Sequence, residues 1–232
     1  MENGVVDHSR AIDGLHAIPG APIILGFVLG LLVGMLCYSI TGNSLDLFIG
    51  GVFFTALLVP PCSAIAGRSP GAWGCVVAIA LGIGCSWLMP VHAEMVTVRQ
   101  WLICIFVLAT FAAMLMAVVD LLTQFSLLPL IASGIVTIIG LLWLSWPVWL
   151  CSSLTGSQLY WSVMFHPLLA INHVVANNLG VWTEQQVAYS LTNLGQDVQY
   201  QLPSSAWPVI GLQAGVAISL IFVAQKVRSA RK

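Results

Sequence analysis

QLYWSVMFHPLLAINHVVANNLG, residues 158–180, is apolar but interrupted by His166, Pro167, Asn172 and His173. Its reading decides the fold. As a membrane span it would carry the basic C-terminus (Lys226, Arg228, Arg231, Lys232) to the face opposite Arg10 and Arg68, against the tendency of basic residues to share one side. It would also hold two histidines and an asparagine at a depth where each polar group needs a partner. The segment is therefore expected to enter and leave by one face, or to lie along the interface.

The rest of the chain sets that context. Of 232 residues, 59% are hydrophobic and 6% charged, against roughly 25% charged in soluble domains. The apolar residues arrive in blocks near the ~20 needed for a helix to cross a hydrocarbon layer. Strand barrels alternate polar and apolar positions, and no such alternation occurs. The fold class expected is all-α, a polytopic bundle of about six transmembrane helices at 22–41, 45–66, 71–90, 101–120, 127–150 and 207–225. Residues 1–21 form an N-terminal segment with a short amphipathic helix, and 22–150 the five-helix region. Residues 151–206 form an external re-entrant or interfacial segment and loop, and 207–232 the sixth span with its basic tail. Glu2, Asp7 and Asp13 against Arg10 do not make a basic leader, so the first span is expected to be retained.

Under this topology Arg10, Arg68 and the tail share one side and Arg99 stands alone on the other. Both termini are thus expected in the cytoplasm, the membrane being a bacterial inner (plasma) membrane. Trp143, Trp146 and Trp149 then fall at the outer end of the fifth span. With Trp87, Trp101, Trp161, Trp182 and Trp207 they read as an aromatic belt, and Trp73 alone marks the inner face. Pro147 is expected to end or kink the fifth helix. In the second span Pro60 and Pro61 free carbonyls that Ser63 or neighbouring helices must satisfy.

Gly26, Gly30 and Gly34 make a doubled GxxxG ridge, and Gly74, Ala78 and Gly82 a matching track on the third span. Both are expected to be helix-packing seams within the chain, and a homo-oligomer is compatible with them. The cysteines at 37, 62, 75, 85, 104 and 151 lie in or beside apolar blocks with no CxxC, and read as small buried hydrophobes.

No Asp, Glu, Lys, Arg or His sits near the centre of a span, which argues against proton- or ion-coupled transport. The net charge of −1 gives no footprint for nucleic acid. There is no GxxxxGK[ST], GxGxxG or GxSxG, so any ATP dependence requires another chain, and no cofactor and no catalytic residue is expected. The outer face could gather His92, Glu94, His166, His173, Glu184 and Asp197 into a metal or acid–base site, although no HExxH, HxH or ExxH spacing joins any two of them.

The layout resembles the membrane subunits of ABC transporters of the ABC-2 class. SRAIDGLHAIPGAP (9–22) stands where such permeases carry an amphipathic helix before the first span. YWSVMFHPLLAINHVVANN (160–178) stands where they carry a re-entrant external hairpin. The resemblance implies six spans, cytoplasmic termini, an ATPase on a separate chain and a second permease subunit. AGRSPGAWG (66–74) departs from the class, being too short for the charged helix that docks on the ATPase, so contact would fall on the leading helix and tail. A second likeness, to haem-handling membrane proteins with a tryptophan-rich outer surface, lacks the WGxxWxWD stretch at WLSWPVWLCSS (143–153). The function expected is a permease-like subunit for an apolar or amphipathic substrate. The alternative is an outer-face membrane enzyme or haem/metal protein using His92, His166, His173 and nearby carboxylates.

Overall fold

A computed structural model describes residues 20–41, 44–66, 70–88, 95–125, 127–149, 156–180 and 203–231. The expected leading helix and residues His92, Glu94, Glu184 and Asp197 lie outside them. The described residues form eight helices and no strand: α1 Ala21–Thr41, α2 Ser44–Ala66, α3 Pro70–Ser86, α4 Val98–Gln124, α5 Pro129–Trp149, α6 Gly156–Met164, α7 Pro167–Leu179 and α8 Trp207–Ala230. The protein is an all-α polytopic membrane bundle. α1, α2, α4, α5 and α8 are long and apolar enough to cross a bilayer. α3, with 17 residues, is shorter, spanning about 26 Å at 1.5 Å per residue.

Boundaries moved where capping and packing outweigh hydropathy. α4 starts at Val98 rather than 101, because Thr97 and Gln100 form a capping box that satisfies the first orphan N–H groups. It continues to Gln124 past Asp120, whose carboxylate is paired with Arg228. α8 likewise runs to Ala230 rather than 225. Pro60 and Pro61 sit inside α2 without ending it. Ser63 donates to the carbonyl of Pro60 at 2.7 Å, rather than to the carbonyls of Ala56 and Leu57 that the two prolines leave without helical donors.

α2 and α4 are central, and α1, α3, α5, α7 and α8 pack around them. α1 and α3 lie side by side with their backbones nearly touching. A Cβ added at Gly26 would come 2.6 Å from the Cys75 carbonyl oxygen; at Gly30 it would fall on the Ile79 carbonyl, at Gly34 on Ser86, and at Gly82 on the Phe27 carbonyl. Gly74 meets Ile23 of α1, and Ala78 is buried on the same helix. In a bilayer, where neighbouring lipid is as apolar as leucine, such close approach gains the dispersion contacts that hold helices together.

The tryptophans divide, and the belt reading needs correction. Trp87 is fully buried, stacked on Phe48 with centroids 4.7 Å apart, and donates to the Leu47 carbonyl at 3.2 Å. Trp101 donates to the Gly84 carbonyl at 2.8 Å, tying the end of α3 to the start of α4. Trp146 is buried too, whereas Trp143, Trp161 and Trp207 are exposed. Trp87 and Trp101 are packing residues tied to a carbonyl, Trp146 is buried with no partner for its Nε1–H among the described residues, and the exposed indoles keep the interfacial role. Among the described residues no disulfide forms, and Cys37, Cys75 and Cys104 are buried.

Candidate functional site

Residues 158–180 fall in a bent pair of short helices, α6 and α7, whose axes turn by 76° between Met164 and Pro167. The local cause is the His166–Pro167 pair. Proline suits the first position of a helix because it has no N–H to leave orphaned. His166 is the N-cap of α7, its Nδ1 accepting the Leu169 N–H at 3.3 Å. The other nitrogen, Nε2, lies 2.9 Å from the carbonyl oxygen of Trp143 in α5. A carbonyl can only accept, so Nε2 carries the proton and the ring is the neutral Nε2–H tautomer. In an unbroken helix that carbonyl would accept from residue 147, but residue 147 is proline. His166 therefore replaces the donor that Pro147 lacks. Trp143 and Trp146 flank the ring, with centroids 5.6 and 5.5 Å away.

The bend packs against α4 and α5. Phe165 lines a groove together with Phe111 and Gly140; Phe111 is 13 residues, about 20 Å, along α4, and Gly140 is near the middle of α5. α7 then returns to the level at which α4 begins. Gln100, in the first turn of α4, accepts from Thr97 through its Oε1 and donates through Nε2 to the Val174 carbonyl at 2.7 Å and to Asn178 Oδ1 at 3.0 Å. Gly180 ends α7 with φ +85°, a conformation open to glycine, and its carbonyl accepts from the buried Asn172 amide at 3.0 Å.

Beside the bend, α5 and α8 both pack on α4 and leave a groove of about 200 Å³ between them. Its walls are Phe111, Leu115, Val136, Ile139, Trp143 and Leu212, with Phe165 closing it toward the bend. Its one polar side chain, Gln213, is buried, and the Thr110 hydroxyl reaches its Oε1 at 2.9 Å. Such a groove suits an aliphatic chain: it offers apolar contact and no unsatisfied group.

Of the six outer-face residues proposed from sequence, His166 and His173 are described. His166 is fully buried with both nitrogens bonded to backbone, and His173 is half-buried farther along α7. Among the described residues no group of three His, Cys, Asp or Glu side chains could hold a metal ion. The sequence reading passed over Gln100, Thr110 and Gln213, yet each carried a signal: an amide or hydroxyl inside an apolar block needs a partner on another helix.

No family model matches the chain, and neither a curated protein nor a solved structure is significantly similar to it.

Proposed function

We propose that this multi-pass membrane protein is a permease-like component of a transport system, taking an apolar or amphipathic substrate from the bilayer, with ATP hydrolysis supplied by a separate chain as in ABC-2 transporters. The observation that supports this reading is the apolar groove between α5 and α8, closed at one end by Phe165 at the bend between α6 and α7. A substrate moving between leaflets needs an apolar wall for its chain and an element that can change position at the membrane surface. α8 fits a moving wall, since it packs chiefly on α4, whereas α7 is anchored in the core by Leu168, Leu169, Ile171 and Val175.

The test is purification of the tagged chain from its own cells in mild detergent, followed by labelling with a photoactivatable fatty acid. The reading expects an ATP-hydrolysing chain in stoichiometric amount, and cross-links at Ile139, Trp143 or Leu212. A protein that purifies alone and labels evenly over its lipid-facing helices would contradict it.

A further inference from the structure

At the end of the bundle away from the bent pair, α2, α4 and α8 bring their last turns, and α3 its first turn, to one cleft of about 140 Å³, lined by Ser63, Trp73, Asp120, Thr123, Gln225 and Arg228. Every one of these lies within about a turn and a half of a helix terminus. The cleft is therefore at headgroup depth and not in the hydrocarbon. Arg228 and Asp120 give it one charge of each sign. They meet at 3.4 Å, a loose contact beside the 2.7–2.9 Å usual for charge-assisted hydrogen bonds. A guanidinium has five N–H donors, and Arg228 makes one side-chain contact among the described residues. Asp120 also accepts from the Gln124 amide at 3.2 Å, which steadies the carboxylate on α4.

We propose that this cleft binds the headgroup of a zwitterionic aminophospholipid, with the phosphate on the Arg228 fork and the primary ammonium at Asp120. Charge decides the class. With a carboxylate against it, Arg228 offers little net positive potential to a purely anionic headgroup, whereas a headgroup with both signs finds a partner for each. The indole of Trp73, on the same wall, has the amphipathic character found at this depth. Lys226 and Arg231, exposed nearby on the tail, attract anionic lipid without regard to headgroup shape, so selectivity separates the cleft from the tail. The proposal requires that the chain span a bilayer and does not rest on the transport reading.

The test uses the full chain, delipidated in detergent and offered phosphatidylethanolamine and phosphatidylglycerol with identical acyl chains, with retained lipid read by native mass spectrometry. The unaltered protein is expected to retain the ethanolamine lipid about threefold over the glycerol lipid, the scale of partly exposed ion pairs. Asp120→Asn is expected to remove that preference, and Arg228→Gln to lower retention of the ethanolamine lipid. Free phosphoethanolamine at the same concentration is expected to displace little of the bound lipid, because the chains contribute to binding. Equal retention of the two lipids by the unaltered chain, or preference for the glycerol lipid, would overturn the proposal without recourse to a variant. Full displacement by free phosphoethanolamine would overturn the assignment to a lipid.

Discussion

The Nε2–H of His166 donates to the carbonyl oxygen of Trp143 at 2.9 Å, across 23 residues of chain, and fills the vacancy that Pro147 makes in the ladder of α5. One ring thereby satisfies a carbonyl of one helix and the N–H of Leu169 at the start of another. Away from water, either group left alone would cost about 1–3 kcal/mol.

His166→Ala is expected to destabilise the protein by about 2–4 kcal/mol, the sum of a lost cap and an orphaned carbonyl. Combining it with Pro147→Ala, which restores an N–H to α5, should reduce that cost by about 1 kcal/mol in a double-mutant cycle. Unfolding in mixed detergent measures both. Strict additivity would show that the Trp143 carbonyl does not depend on His166.

Gln100→Glu separates two roles of one side chain. The carboxylate still accepts from Thr97 and keeps the capping box, but it cannot donate to Val174 or Asn178. Hydrogen exchange in α7 should rise while the first turn of α4 stays protected. Equal protection of α7 in the two proteins would mean that Gln100 does not hold that helix.

Thr110→Val leaves the buried Gln213 oxygen without its hydroxyl donor, at an expected cost of about 0.6–2 kcal/mol. Adding Gln213→Leu removes the second polar group and should return stability close to that of the original protein. The same double variant makes the groove wholly apolar, so labelling by the photoactivatable fatty acid should persist.

Gly30→Ala places a methyl on the Ile79 carbonyl and must push α1 from α3, costing about 1–3 kcal/mol. Gly211→Ala and Gly215→Ala meet nothing within 4 Å and should leave thermal stability unchanged or slightly raised. Similar losses at all three positions would contradict the assignment of close packing to the α1–α3 seam.

Much of this fold was legible in the chain because a bilayer demands long apolar blocks, and the blocks from residue 21 to 66 and from 98 to 149 announce themselves by length. The break in residues 158–180 was legible for the complementary reason: His166, Pro167 and Asn172 make the stretch too polar for a plain span. The tryptophans were not, since hydropathy places an indole near an interface but cannot say whether a carbonyl such as that of Leu47 or Gly84 waits beside it. The His166–Trp143 bond was half legible. Pro147 identifies Trp143 as the carbonyl needing a donor, but only the folded chain shows which donor arrives. The groove and the cleft were not legible at all, because their walls join residues as far apart in sequence as Phe111 and Gln213 in the groove and Ser63 and Arg228 in the cleft.

The account turns on residues 157–179 entering and leaving the membrane by one face. In a cysteine-free background, Ser157→Cys, Asn177→Cys and Arg231→Cys can be labelled with an impermeant maleimide in intact and in permeabilised cells. The positions at 157 and 177 should react from the same side, and 231 from the other. Reaction of 157 and 177 from opposite sides would make the bent pair a span and contradict the account.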